Sequence, residues 1–391
     1  MVTQKSSYTP PMDAVQEVNL QQNSVDAEFG HSAGGVISME MKSGTNEYHG
    51  TAYYLGRNPV LNAAADRTTQ KANLTRQQVW GATLGNPIKK DKLFNFFAYE
   101  AWRPSSPLSV INTLPTAAER SGDFSQALNT QAGLRTIYDP WTTQVNGNTV
   151  TRQPFPGNII PASRTDPVAK TVMANLWQPN NPGVGPTQTN NFIAGYATTF
   201  RYWNLMDRVD YNLSNKWKIF GRYNQFHTFS LNQDYTNGSI DAPVAGSERH
   251  SLSMSADAVY TMNASTVINI RGSYNSINDS FGAPQYELKP DALSKLWNGN
   301  TWYEPYLKNL PQIYFPGMYV EQGSKTQLWV KSYWYQTPNS FNLESTVSKN
   351  IGRHYLKTGA QYRRDNTTAA RPAFMNLDFK PNDTANTFNS P

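Results

Sequence analysis

The sequence predicts an all-β fold of long antiparallel strands, and three observations carry that prediction. Segments of roughly ten residues alternate apolar and polar side chains with period 2, against a usual strand length of ~5–6. Aromatics are abundant at 13% while charged residues are only 16%, below the ~25% of an ordinary soluble domain. Short turns close the alternating segments into hairpins, while the connections between hairpins are long. The same composition excludes other classes. No stretch approaches the ~20 consecutive apolar residues of a membrane helix. The heptads of a coiled coil are absent, and disordered chains are poor in aromatics. The chain has no Cys, which removes disulfide scaffolds, thiolate metal sites and thiol catalysis. Its net charge of +6 comes from scattered residues, so no basic face for nucleic acid is expected.

Taken in order, strands are expected at Tyr48–Arg57, Gln78–Asn86 and Leu93–Trp102. Asn204–Asn212 and Lys216–Phe226 flank a Ser214-Asn215 turn. In Ser251–Tyr260, Leu252, Met254, Ala256, Ala258 and Tyr260 face one way, and Ser251, Ser253, Ser255 and Asp257 the other. Thr266–Tyr274 repeats the pattern after a short turn. Phe341–Ser348 and Tyr355–Arg363 flank Asn350-Ile351-Gly352-Arg353. This makes about nine strands, apolar on one face and carrying Lys218, Arg222, Arg271 and Lys357 on the other. A soluble sandwich also alternates. Ten-residue strands, aromatics near strand ends and turns short on one side only are the marks of a transmembrane β-barrel.

Two connections, about 104–200 and 278–336, lack period-2 runs and are read as external loops. Thr116 and Glu119 have capping-box spacing. Thr165 is placed to cap a helix opened by Asp166-Pro167, with Val168, Val172 and Leu176 on one stripe. A further helix is expected near Pro290 to Trp297, followed by an aromatic-rich stretch to Tyr319.

Motifs for chemistry are weak. Gly30-His31-Ser32-Ala33-Gly34 matches the nucleophile-elbow pattern, but the elbow needs a helix after it. Here Val36 to Lys42 alternate like a strand. The five His residues show no metal-ligand spacing and no His–carboxylate cluster in sequence. Asp207 and Asp210 would face opposite sides of a strand, so they do not form a glycosidase pair. Arg208 and Asp210 share a face and can pair there. The expectation is no enzyme, no catalytic residue, no metal and no cofactor.

The residues also resemble a known family. Ala27 to Ile37, followed by Lys42-Ser43-Gly44-Thr45-Asn46-Glu47-Tyr48-His49-Gly50, is similar to the plug end and first barrel strand of Oar-like TonB-dependent outer-membrane receptors. Gly81 to Ile88 with Asp91 to Glu100 resembles that family's next two strands. Leu114-Pro115-Thr116 with Glu119 to Ser125, and Phe155 to Arg164, look like landmarks of its first long loop.

The resemblance implies about nine strands of a larger, plugged barrel in the outer membrane of a Gram-negative bacterium. Residues 1–45 would be the end of the plug and 46–391 the first part of the barrel. Gly30, Gly34, Gly35, Lys42, Ser43, Gly44, Thr45, Asn46 and Gly50 would form the plug–barrel junction, with Ser32 left without a nucleophilic role. The implied function is uptake of a bulky ligand with energy from TonB. The implied partners are outer-membrane lipid, the TonB complex and a ligand with no motif to identify it. With no apolar leader in Met1–Asp13 and no TonB box, the chain reads as an internal fragment. Alternatives are a secreted carbohydrate-binding or hydrolytic β protein, or a barrel for protein export or adhesion.

Overall fold

The computed structural model describes residues 10–21, 35–64, 68, 74–197, 199–231, 246–281, 292–300, 312–319, 325–328, 334–370 and 376–378. The strands in chain order are β1 Val15–Gln21, β2 Val36–Met41, β3 His49–Arg57, β4 Arg76–Lys89, β5 Leu93–Ser105 and β6 Pro107–Asn112. Then follow β7 Tyr138–Asn146, β8 Thr149–Pro154, β9 Phe192–Ala197, β10 Thr199–Asn212, β11 Trp217–Leu231, β12 Gly246–Asn263 and β13 Thr266–Phe281. The last are β14 Gln312–Tyr319, β15 Lys325–Leu328, β16 Trp334–Ile351, β17 His354–Ala370 and β18 Asn376–Asp378. Three short helices are α1 Ala117–Arg120, α2 Pro167–Asn175 and α3 Ala292–Leu296.

The fold is organised around a nine-stranded antiparallel sheet ordered β17-β16-β13-β12-β11-β10-β5-β4-β3, with β3 and β17 as its edges. Its members are the nine strands expected from the alternation. Each pairs with the next in chain order, as a meander. Most run longer than the pattern suggested: β12 and β16 have 18 residues each. The alternation marks only the part of a strand whose outward side chains are apolar. Beyond that part β12 continues as Gly246 to His250, polar on both sides but still paired with β11 and β13.

The four tight turns lie at one end of the sheet, each stabilised locally. Asp91 takes a positive φ of 63° between β4 and β5. The Ser214 Oγ accepts from the amides of Lys216 and Trp217 at 3.2 and 3.1 Å. The Asn263 Oδ1 accepts from the Ser265 amide at 3.0 Å. Gly352 supplies φ 58° between β16 and β17, a left-handed conformation that costs glycine little.

The connection after β5 is a small folded unit rather than an open loop, which corrects the expectation of a region without strands. β6 pairs with β9 and β7 with β8. Leu114, Trp177 and Phe192, beside the ends of β6, α2 and β9, form a buried cluster, with Trp177 and Phe192 stacked at 5.6 Å. The Thr116–Glu119 capping box is present. The cap of α2 is Asp166, not Thr165: the Asp166 Oδ1 accepts from the Val168 amide at 2.7 Å, because Pro167 takes the first helical position. Of the expected stripe, Val172 and Leu176 are buried. α3 falls inside the segment expected to be helical.

The two faces of the large sheet differ in chemistry. One face receives β1 and β2: Ala14 and Met41 pack on Phe96, Ala98 and Met206 in a fully buried cluster. We call this the inner face. Away from that cluster it is polar and internally bonded. Asn224 bonds Asn204 at 2.8 Å, Ser253 bonds Asn275 at 2.7 Å, and Asp257 accepts from Asn269 and Arg271 at 2.8 and 2.7 Å. On the outer face Tyr223, Met254, Ile270, Tyr274, Phe341, Leu343 and Tyr362 lie side by side across neighbouring strands. All are 38–59% exposed. A contiguous apolar face of this extent on a soluble protein would mark an interaction surface.

Candidate functional site: the junction between hairpin and sheet

The predicted junction residues line the segment that leads from β2 into β3. Gly30 and Gly34, with Ser32 of the elbow-like pattern, lie outside the described residues. Gly35 is the residue before β2 and has φ 130°. The residues that follow it form a strand, as the alternation required.

From Lys42 onward each residue has a distinct physical job. The Lys42 Nζ donates to Asp13 Oδ1 at 3.0 Å, and its amide donates to the Ala14 carbonyl at 2.9 Å. The Ser43 Oγ donates to Asp210 Oδ2 at 2.7 Å. Gly44 runs so close to β4 and β5 that an added Cβ would sit 2.2 Å from the Asn95 carbonyl oxygen and 2.9 Å from that of Asn86. No ordinary side chain fits there. Thr45 closes a local turn, its Oγ1 donating to the Glu47 carbonyl at 3.0 Å. Asn46 clasps the β4–β5 turn: its Nδ2 donates to Asp91 Oδ1 at 2.7 Å, and its Oδ1 accepts from the Asp91 amide at 2.8 Å. At Gly50 a Cβ would meet the Thr83 carbonyl oxygen at 2.2 Å.

Two charged groups anchor this segment to the inner face. Asp13, just before β1, accepts from Lys42, from Thr83 Oγ1 at 3.0 Å and from Thr51 Oγ1. Burial alone would raise the Asp13 carboxyl; the hydrogen bonds from Thr51, Lys42 and Thr83 outweigh it and hold the group below its ordinary value. Arg208 grips Asp210 with two parallel bonds, Nε and Nη2 to Oδ2 and Oδ1 at 2.9 and 2.8 Å. Its third nitrogen donates to the Met41 carbonyl at 2.8 Å. Fork geometry fixes Arg208 in place, so the end of β2 and the Ser43 hydroxyl meet a rigid acceptor–donor pair. Asp207 points to the opposite face, where Asn95 Nδ2 donates to it at 2.5 Å. The two aspartates are therefore separated by the sheet, as their spacing implied.

This arrangement binds one backbone segment to another. It aligns no nucleophile with a base. Sequence reasoning missed Asp13, Thr51 and Thr83, because an isolated acid before a strand carries no local signal. It also missed one cluster elsewhere: contrary to the reading of the histidines as isolated, His227 and His250 meet at Glu248. His227 and His250 are register partners on adjacent strands, which spacing along one chain segment cannot reveal.

A family model described as an outer membrane beta barrel domain matches residues 40–391. The chain belongs to that family. This places the large sheet in the outer membrane as barrel wall and removes the secreted alternative; a barrel turns its apolar face to lipid. Over 151 residues the chain is 36% identical to the TonB-dependent transporter Oar of Myxococcus xanthus, a match covering 35% of this chain and 14% of that protein. Two solved structures overlap more of the chain at low similarity. The ferric enterobactin receptor PfeA of Pseudomonas aeruginosa has 10% identity and a TM-score of 0.39, covering 93% of this chain and 46% of that one. The ferric preacinetobactin receptor BauA of Acinetobacter baumannii has 13% identity and a TM-score of 0.32, covering 86% and 44%. The chain thus spans less than half the length of each. Scores this low leave the fold assignment to the family match and the sheet itself.

Proposed function

We propose that this chain is the plug end and first barrel portion of a TonB-dependent outer-membrane receptor, which takes up a bulky ligand. Residues 1–45 act as the end of the plug and 46–391 as barrel. The loop-end unit around β6 to β9 belongs to the ligand-capturing surface, and energy arrives from TonB through the plug. The observation that carries this reading is the seat of the β1–β2 hairpin on the inner face, where Ala14 and Met41 pack on Phe96, Ala98 and Met206 and the bonds Asp13–Thr83, Ser43–Asp210 and Arg208–Met41 tie it to the sheet. A hairpin held by a few hydrogen bonds and one small apolar cluster can be released without opening a large apolar core. No residue is assigned a catalytic role.

The test uses the absence of native cysteine. Ala14 and Ala98 pack in one cluster, and the pair Ala14→Cys and Ala98→Cys reports the hairpin's position in cells. Periplasmic maleimide labelling of Cys at position 14 is expected to rise in cells with an active TonB system over cells lacking it. Equal labelling in both contradicts energy-driven movement of the hairpin.

A further inference from the structure

The outer face changes character along its strands, and the change fixes depth. Near the tight turns Trp217 and Tyr260 stack at 4.5 Å. Three rows follow that are mainly apolar across β11 to β16, the last being Tyr223, Met254, Tyr274 and Phe341, flanked in the same row by Asp207 and Arg364. The next row is mixed: Leu205, Gln225, Leu252, Ser276 and Asn339. Beyond it come Trp203, His227, His250 and Asn278. From Trp217 to His227 is ten steps of ~3.3 Å, or about 25 Å of height at the usual ~40° strand tilt. That equals the apolar band of an outer-membrane barrel. His227 and His250 therefore stand at the upper edge of the lipid, on the loop side and next to water.

At that level three metal-binding side chains converge. The rings of His227 and His250 stack at 4.1 Å with 14° between their planes. Both Nε2 atoms point at one oxygen, Glu248 Oε1, at 2.8 and 3.1 Å. Donor atoms bonded to one ion at ~2.1 Å in a tetrahedral shell lie roughly 3.4 Å apart, and the three ligand atoms here lie within 4.8 Å of one another, so a modest turn of the two imidazoles brings them onto one ion. Fully paired strands hold the three side chains in register, which lowers the cost of ordering them. Phe229 separates Glu248 from Arg201 in its row, so no cation sits against the carboxylate there. Among the described residues this is the only group of three or more His, Asp or Glu donors so placed.

We propose that His227, Glu248 and His250 form a binding site for a divalent transition cation of the zinc, nickel or copper class on the outward face of the barrel, at the upper membrane boundary. Two imidazoles and one carboxylate suit these borderline ions, and a three-ligand set leaves positions open to water. The site is independent of the uptake reading, since it lies on the opposite face of the sheet from the hairpin.

The test uses the protein as cells make it, extracted from outer membranes in detergent, stripped with chelator and dialysed against Zn2+. The His227→Ala/His250→Ala pair is expected to bind one equivalent fewer per chain than the unsubstituted protein. Cu2+ adds a local readout, because the Trp203 ring lies 6.0 Å from that of His227. A saturable quenching component is expected in the unsubstituted protein and absent from both Trp203→Phe and His227→Ala. His250 is 48% exposed, so His250→Gln tests the claim should the His227 change lose the fold. Heat-dependent gel mobility shows which variants are folded. Unchanged Zn2+ stoichiometry in a folded His250→Gln or paired variant overturns the proposal, as does a saturable Cu2+ quenching component that persists in Trp203→Phe.

Discussion

At the scale of single residues, the junction turns on contacts that leave no room for alternatives. Gly44 presses on the Asn95 and Asn86 carbonyls, so Gly44→Ala must push the segment off the sheet. Overpacking of this kind costs about 1–3 kcal/mol. Chemical denaturation of the detergent-folded protein should show that loss, with a similar one for Gly50→Ala. Asp13 adds a pH dependence. Its carboxyl is held below the ordinary value in the folded state, so its contribution is fully present above ~3.9, the unfolded value, and is lost as pH falls through the lower folded one. The protection factors of the β1 amides, taken relative to the intrinsic exchange rate at each pH, are expected to fall selectively in that acid range. In Asp13→Asn the protection is already low at neutral pH and far less sensitive to acid. The two glycines and Ser43 were visible in the sequence only through the resemblance. Asp13, Thr51 and Thr83 were not visible at all, because their meeting depends on how the turn before β1 seats against β3 and β4.

At the scale of elements, period-2 alternation was a faithful guide to the membrane strands and a poor one to the loop-end unit. All nine strands of the sheet were legible, since each needs one apolar face over its membrane depth. β6 and β9 were not: they are six residues each and pair across some eighty intervening residues. The His227–Glu248–His250 cluster was missed for a related reason, as cross-strand register brings it together. The loop-end unit holds itself together through Arg120. Its guanidinium donates to the carbonyls of Pro115, Met173, Leu176 and Trp177, which ties α1 to the end of α2. Burial pushes its pKa down from the usual arginine value. Arg120→Ala leaves partly buried carbonyls without a donor, at a cost of about 1–3 kcal/mol. Faster amide exchange is expected across 114–177, with the nine-stranded sheet unchanged; loss of protection throughout the sheet would contradict the separateness of this unit.

At the scale of the whole molecule, one sheet meets two solvents. The inner face carries a hydrogen-bonded polar ladder and the hairpin, and the outer face carries exposed Tyr, Phe, Leu, Ile and Met. Hydrophobic burial against lipid explains the outer face, and cross-strand hydrogen bonds among polar side chains run along the inner one. Met254 lies near mid-depth between the two aromatic levels, so Met254→Arg should destabilise the membrane-folded form by about 2–4 kcal/mol, read as a lower folded fraction on heat-modifiable gels. Ser253→Arg, one residue away but inward, tests packing against Asn275 instead and carries no lipid penalty. The central claim is tested most directly on β12, in a chain with no native cysteine. Single cysteines placed in turn at positions 252 to 258 would each carry an environment-sensitive fluorophore in the folded, membrane-embedded protein, with a lipid-soluble quencher added. Strong quenching at 252, 254, 256 and 258 and weak quenching at 253, 255 and 257 is the predicted result. Uniform quenching, or the opposite alternation, would contradict the barrel wall described above.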